Sequence, residues 1–320
     1  MPVYKFPDHK KAKICVIGDI MLDHYINGSC DRISPEAPVQ IIDVTDEVYS
    51  LGGAGNVLKN LQAFGCDGSL ISISGNDDTS QIVVEELQKI TPAFYHLAKD
   101  GNRRTTIKSR VVVNRHQLIR LDKEDKIYCA DAIADDIFEF LKTKITELDV
   151  VILSDYCKGV LSTRLVKNII KLCTDNKVIT IVDSKDKDLS KYYKATLIKP
   201  NKKEASLASG ISIINDTTLE QACKKIADVT ACQTVIVTLS EDGIAIYDQN
   251  KLTKKPTKAL GIFDVTGAGD TVIAALAFAL ANELSISEAC DFANSAAAIV
   301  VAKFGSAVAT LEEINNLNSK

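Results

Sequence analysis

The chain predicts an α/β fold: a doubly wound, mostly parallel sheet with a small antiparallel β lid. Three observations carry that expectation. Short Val- and Ile-rich runs of strand length alternate with longer amphipathic stretches of helical length. The runs are continuously apolar, as strands covered by helices on both faces must be. Two regions, 24–50 and 103–121, break the rhythm with period-two patterns and no helix between them.

In order, the strand runs are ICVIG (14–18), SLISIS (69–74), DVVILS (149–154), VITIVD (178–183), ATLIKP (195–200) and TVIVT (234–238). Helical patterns lie between them, among them ADAIADDIFEFLKTKI, TRLVKNIIKLCTDN and LEQACKKIADVTA. PVQIIDVT, RTTIKSRVVV and HQLIRL supply the lid strands, which either close over a ligand or extend the edge of the sheet. ALAFALA and AAAIVVA are read as helix-packing faces, and the polar EEINNLNSK at 312–320 is expected to fray. Without repeats or Pro/Gly/Ser linkers, residues 1–320 are expected to form one domain, with the lid segments inserted in its core.

At 320 residues, 46% hydrophobic and 25% charged, the chain is long enough to bury a full α/β core. Its formal charge of −4, with Lys and Arg scattered, argues against nucleic acid or a membrane surface as partner, so an anionic ligand must be captured locally. The nine cysteines contain no C-x-x-C pair and are read as reduced core thiols. No apolar signal region opens the chain, and no apolar run approaches the ~18 residues of a span; the expected location is cytoplasmic.

The chemistry gathers at FDVTGAGDT, 263–271. A helix beginning at Gly267 or Ala268 aims its unpaired N–H groups and the positive end of its dipole along the loop. Glycines at 267 and 269 let the backbone approach a phosphate closely. A carboxylate in a first turn also serves as plain dipole compensation, so Asp270 gains weight only from its surroundings. Familiar phosphate loops fail: no Gly-Lys pair exists for G-x-x-x-x-G-K-[ST], and Val272 stands where the third glycine of G-x-G-x-x-G belongs. LGGAGN at 51–56 fails the same test, which disfavours a nicotinamide enzyme.

FDVTGAGDT resembles the signature of the ribokinase-like (PfkB) sugar kinases, with Val265 in place of the commoner Thr. LGGAGNVLKNLQAFG (51–65), KPNKKEA (199–205) and VTLSEDG (237–243) resemble that family's sugar-binding helix start, its N-x-x-E motif and its nucleotide loop, in the family's order. More finely, segments 18–44, 107–125, 152–162 and 182–205 resemble the D-glycero-D-manno-heptose 7-phosphate kinases, which make a precursor of the inner-core heptose of lipopolysaccharide. Many of those carry a cytidylyltransferase-like domain; the H-x-G-H motif of nucleotidyl transfer is absent, so a stand-alone kinase is expected.

The resemblance implies transfer of the γ-phosphoryl of ATP to the anomeric hydroxyl of a heptose 7-phosphate. Asp270 becomes the base, and the N–H groups of Gly267, Ala268 and Gly269 hold the transferring phosphoryl oxygens. Asn201 and Glu204, three apart, point at a Mg2+ ion through water, though an N-cap with a capping-box partner fits the same residues. Ser240, Gly243 and Asn294 border the nucleotide, the last equally explicable as an exposed polar residue. Asp19, Gly52, Gly53 and Asn56 form the sugar pocket, with Asp23 left between ligand and turn carboxylate. Arg110 is expected on the substrate phosphate, whereas Arg115 reads as a solvated charge. The resemblance leaves room for a monovalent cation and implies a homodimer through the β lid. His24, His96 and His116 are read as surface or lid residues. Another PfkB sugar or nucleoside kinase, and a catalytically silent sugar-binding regulator, remain the alternatives.

Overall fold

A computed structural model describes residues 4, 11–114, 116–257, 261, 263–303, 305 and 307–319. Its main sheet holds β1 (Lys13–Gly18), β4 (Asp67–Ser74), β5 (Tyr95–Lys99), β8 (Val150–Asp155), β9 (Ile179–Ser184), β10 (Leu197–Ile198), β11 (Thr234–Thr238), β12 (Ile244–Asp248) and β13 (Lys251–Lys255). The order is β13-β12-β11-β10-β9-β8-β1-β4-β5, parallel from β11 to β5 and closed by antiparallel β12 and β13.

Strand alternation divides the core in two. On β1, Ile14 and Val16 face one apolar layer while Cys15 and Ile17 face the other, all four fully buried. The first layer contains α1 (Ala54–Ala63), α7 (Ala268–Ala281) and α8 (Ile286–Val301); the second contains α3 (Asp131–Lys144), α4 (Thr163–Asp175) and α6 (Asp216–Thr230). Helix α7 is apolar on every side because α1, α8 and the sheet surround it. Truncating its fully buried Leu276 to Ala costs about 2–5 kcal/mol. Helices α2 (Asp78–Ile90) and α5 (Lys202–Ser209) complete the main layers.

Strand β10 is shorter than the ATLIKP run suggests. Pro200 has no N–H to continue the ladder, and the chain instead offers its carbonyl to Thr238 before entering α5. The C-terminal segment does not fray: α9 (Leu311–Asn318) is capped by Thr310, buries Ile314, and exchanges two hydrogen bonds between Asn315 and the backbone of Tyr4. Its polar composition hid these tertiary partners.

The lid is a second sheet, β3-β2-β6-β7, built from β2 (Ile20–Ile33), β3 (Gln40–Gly53), β6 (Ile107–Val113) and β7 (His116–Lys123). It consists of two antiparallel hairpins joined by a parallel β2–β6 pair. Because β2 and β3 run back into the main sheet's carboxyl edge, the lid is continuous with the ends of β1 and α1. Arg115, in its second hairpin, lies outside the described residues. All nine cysteines are free; seven are buried as expected, Cys30 is partly exposed, and Cys157 is exposed. Among the described residues, no helix is long and apolar enough to cross a membrane.

Candidate active site

Helix α7 begins where the sequence places it, with Gly267 as N-cap at φ 78°, a left-handed conformation that favours glycine. The preceding loop is held by Asp264, whose two oxygens accept from the Thr266 and Gly305 N–H groups. Ala268 N–H is directed to the Val265 carbonyl at 3.2 Å, whereas the Gly269 and Asp270 N–H groups have no acceptor among the described residues. The helix therefore presents open donors and its positive dipole end beside Asp270.

Asp270 is buried and doubly held. Asn56 Nδ2 donates to Oδ2 at 2.7 Å and the Tyr156 hydroxyl donates to Oδ1 at 2.5 Å. Burial pushes the carboxyl above its ordinary range, and the two hydrogen bonds draw it part of the way back. Asn56 is placed by packing of α1 on α7: Asn60, on the next turn, donates to the Asn56 carbonyl and accepts from Thr271 Oγ1. A buried polar chain thus aligns the two helices that carry the pair. Among the described residues, Asn56 Oδ1 is buried without a hydrogen-bond partner.

The carboxyl ends of the parallel strands deliver the remaining groups, as open α/β sheets do. Lys199, after β10, pairs with Asp183 at the end of β9 at 3.1 Å, both almost fully buried. Lys199 Nζ is also the nearest side-chain atom to a Cβ built on Gly269, at 3.8 Å, so a buried cation stands at the glycine loop. Asn201 and Glu204 form a capping box at the start of α5. Glu204 Oε2 accepts from Asn201 N–H at 2.8 Å, and Oε1 accepts from Lys185 Nζ at 2.6 Å.

On the expected sugar side, Gly53 adopts φ 57° and an added Cβ would lie 2.4 Å from the Asp19 carbonyl, so only glycine fits where β3 turns into α1. At Gly52 the added carbon would meet Asp23 Oδ2 at 2.3 Å. Asp19 is buried, and its carboxylate turns to the loop after β8, accepting the Tyr156 and Lys158 N–H groups on Oδ2 and the Val160 N–H on Oδ1. Burial, then the charge of Asp155, push it up to about 6 against those three hydrogen bonds. Arg110, on β6, pairs with Asp23 on β2 at 2.6 Å and lies over the Tyr25 ring at 5.3 Å. His24 is not a surface residue: it is buried in the lid, stacked on Tyr49, between Ser109 and Glu47.

On the far side of Asp270, a cleft of about 500 Å3 opens between the end of β11 and the helices α7 and α8. Thr238, Ser240, Gly243, Gly269 and Asn294 line it. Asn294 is buried, not exposed, and its amide donates to the Lys255 and Pro256 carbonyls. Its apolar walls, Val272, Ala297 and Val301, suit a flat ring, and Gly269 joins the cleft to the anion loop.

The structure thus brings Asn56, Asp270 and the glycine loop together, puts Ser240, Gly243 and Asn294 in one cleft, and leaves Arg110 and Glu204 in ion pairs. Sequence reasoning gave no role to Tyr156, Lys185, Asp183 or Lys199. Their one signal was position, at the carboxyl ends of the strand runs DVVILS, VITIVD and ATLIKP or within two residues of them.

A profile described as pfkB family carbohydrate kinase matches residues 11–313. The bifunctional protein HldE of Aliarcobacter butzleri is 46% identical over 310 residues, covering 97% of this chain and 65% of that protein. HldE of Helicobacter hepaticus is 46% identical over 307 residues, covering 96% of this chain and 64% of that protein. The chain therefore spans about two thirds of the length of these relatives. Among solved structures, phosphofructokinase-2 of Escherichia coli in its tetrameric inhibited form superposes with a TM-score of 0.78 at 18% identity, over 96% of this chain and 98% of that one. Its complex with fructose 6-phosphate gives 0.75 at 19%, over 97% and 99%. With the glycine loop, the buried carboxylate and the cleft on one edge of a ribokinase-like sheet, the chain belongs to the pfkB family of carbohydrate kinases and is an ATP-dependent sugar kinase.

Proposed function

We propose that this kinase phosphorylates the anomeric hydroxyl of D-glycero-D-manno-heptose 7-phosphate, giving the 1,7-bisphosphate that a nucleotidyl-transfer enzyme would consume. The observation that carries the reading is Asp270, a buried carboxylate fixed by Asn56 between the lid and the nucleotide-sized cleft. The choice of heptose is supported by segments 18–44, 107–125, 152–162 and 182–205, which resemble heptose 7-phosphate kinases, and by the 46% identity to the HldE proteins.

In this reading, Asp270 accepts the proton of the anomeric hydroxyl as its oxygen bonds to the γ-phosphorus and the bond to the β–γ bridging oxygen breaks, releasing ADP. The open N–H groups at the start of α7, with Lys199 behind them, stabilise charge on the transferring group; loss of one such donor typically costs about 3–4 kcal/mol. Ser240, Gly243 and Asn294 border the nucleotide. Gly52, Gly53 and Asn56 shape the sugar pocket, with Asp19 holding its floor through the 156–160 loop.

Mg2+ fits the donor set beside α5. Both Glu204 oxygens already have one partner yet retain lone pairs for water, which suits a cation that keeps its hydration. Glu204 and Asn201 would hold it through water, and the ion would neutralise phosphate charge. A monovalent cation remains part of the proposal; potassium is bound in one phosphofructokinase-2 structure.

The lid has two unlike faces. Register places Arg110, Arg120, Tyr25 and Val48 on one row, and Ile26, Val111, Ile119 and Glu47 on the next, with Leu121 on the same side as Ile119. Ile119 and Leu121 are 51% and 52% exposed. The face with Arg110 suits a sugar phosphate that would compete with Asp23, and the face with Ile119 and Leu121 a second lid, so the single kinase unit with its inserted lid is assigned as a homodimer.

Product-identified ADP release with heptose 7-phosphate, fructose 6-phosphate, ribose and adenosine tests the substrate. A higher kcat/KM for one of the other acceptors would return the protein to the wider sugar-kinase class. Absence of turnover with all of them would favour a silent binding protein.

A further inference from the structure

Among the described residues the Asp270 carboxylate has two side-chain donors, and only one comes from the helix that the glycine motif predicts. The second, the Tyr156 hydroxyl, arrives from the loop after β8. We propose that Tyr156 is a positioning residue for Asp270, which fixes the carboxylate plane together with Asn56 and holds the carboxylate in its ionised, proton-accepting form. This rests on the reading of Asp270 as the base.

The tyrosine is itself held from three sides. Its N–H donates to Asp19 Oδ2 at 2.8 Å, and the same carboxylate gathers the Lys158 and Val160 N–H groups, so the 156–160 loop folds around one buried anion. One residue earlier, Asp155 accepts from Cys157 N–H at 2.8 Å and pairs with buried Lys191 at 2.7 Å, anchoring the loop's base. Lys185 Nζ lies 5.5 Å from the centre of the Tyr156 ring while paired to Glu204. The ring thus stands between the base and the carboxylate assigned to the metal side.

The chemistry of two donors on two oxygens explains the arrangement. An ionised carboxylate offers about four acceptor positions and is free to rotate about its Cβ–Cγ bond. With Asn56 on Oδ2 and Tyr156 on Oδ1, rotation would break one hydrogen bond or the other, so the lone pairs left for an acceptor hydroxyl have a fixed direction. Tyr156 can serve as a donor throughout the working range, since burial and then the charge of Asp270 push its phenol well up. Its hydrogen bond favours the charged form of Asp270. The other charged groups around Asp270 are Asp183 on β9, which opposes ionisation, and Lys199 after β10 and Lys185 after β9, which favour it. They stay in place when only the phenol oxygen is removed.

Tyr156→Phe in the full chain, assayed by ADP release against pH, reads this role. The expected result is a kcat about tenfold lower, the order for one hydrogen bond to a charged group, with KM for ATP unchanged. The acid limb of kcat/KM should move to higher pH; substrate ionisations are common to both proteins and cancel in the comparison. Should Tyr156→Phe fold poorly, 3-fluorotyrosine at position 156 keeps the shape and strengthens the donor, and should move the acid limb to lower pH. An acid limb unmoved by either change, in proteins with the parent melting temperature, overturns the proposal. Asp270→Asn, run in parallel, separates the two readings: an inactive Asp270→Asn with an unmoved acid limb in the Tyr156 variants removes Tyr156 alone, whereas an active Asp270→Asn removes the base and the positioning role with it.

Discussion

Arg110 on β6 reaches Asp23 on β2 at 2.6 Å, across the parallel seam that joins the two lid hairpins. Both side chains are largely buried, and Lys59 and Lys108 contribute positive charge around the same Asp23. Burial drives both lysines below their ordinary values, so each is held in a poorly solvated place. In the proposed reading, a substrate phosphate arriving here would offset that lost solvation and give the Arg110 fork a bidentate partner in place of Asp23.

Arg110→Ala should therefore raise KM for heptose 7-phosphate by about tenfold or more, with KM for ATP within about twofold, on the scale of one lost charge-assisted contact. Steady-state kinetics varying each substrate in turn checks this. Equal kcat/KM of the parent enzyme for phosphorylated and unphosphorylated heptose would remove phosphate recognition from the lid.

Glu204 caps α5 and pairs with Lys185, and a substitution can separate these duties from the proposed metal contact. Glutamine at 204 can still accept from Asn201 N–H, so the cap of α5 survives and stability changes by less than about 1 kcal/mol. It cannot pair ionically with Lys185 or attract a hydrated cation with full charge. Glu204→Gln should shift the Mg2+ titration of activity to higher concentration while sugar KM stays near the parent value. An unchanged Mg2+ titration would leave Glu204 as a helix cap and ion-pair partner.

How much of this could be read from the sequence depends on chain distance. The start of α7 was legible because Gly267, Gly269 and Asp270 are neighbours, and the local backbone dictates both the φ 78° cap and the open donors. The strands were legible because β1 and β8 are buried on both faces and so read as unbroken apolar runs. The partners of Asp270 were not: Asn56 is 214 positions away and Tyr156 is 114. Asn56 carried a motif, but Tyr156 looked like any tyrosine after a strand until the strand order put β8 beside β1. Ion pairs such as Arg110–Asp23 and Lys185–Glu204 depend on lid register and on helix α5, which period-two or capping patterns alone do not fix.

Asp270→Asn should lower turnover by at least ~10²-fold while ATP and sugar bind nearly as before, the order usual for a lost general base. Asparagine can keep one of the donors from Asn56 and Tyr156 by offering its single oxygen, so the fold persists. Calorimetric binding beside the ADP-release assay separates the two effects. Residual activity above about a tenth of the parent would show that another group takes the proton.

Asp19 makes a prediction about stability against pH. Its folded-state value, raised to about 6, lies above the ~3.9 of an unfolded aspartate, so the native state holds this proton more tightly. Its contribution is then fully present below about pH 4, declines as pH rises, and is gone above about 6. Relative to Asp19→Asn, which does not titrate, the parent should lose unfolding free energy across that window, by a few kcal/mol as an order of magnitude. Paired urea melts at pH 4, 5, 6 and 7 measure the difference; a gap independent of pH would show that Asp19 is ionised throughout.

The exposed lid face gives the last test. Ile119 and Leu121 on β7, beside partly buried Ile26 and Val111, form an apolar strip on an outer strand whose free edge has no partner among the described residues. Such an edge invites uncontrolled pairing unless a defined surface covers it. A second lid does so by symmetry, since a twofold axis matches the strip with itself. The proposed acceptor site lies under the opposite face, where Arg110 sits, so subunit contact would stiffen the lid without entering that pocket. Light scattering at micromolar concentration should return the mass of two chains for the parent and of one for Ile119→Glu combined with Leu121→Glu. The monomeric variant should show a raised sugar KM, because a lid without its partner must be ordered by substrate alone, while KM for ATP, assigned to the cleft on the far side of Asp270, stays near the parent value. A parent protein that scatters as a single chain would remove the dimer and, with it, the assigned purpose of the apolar face.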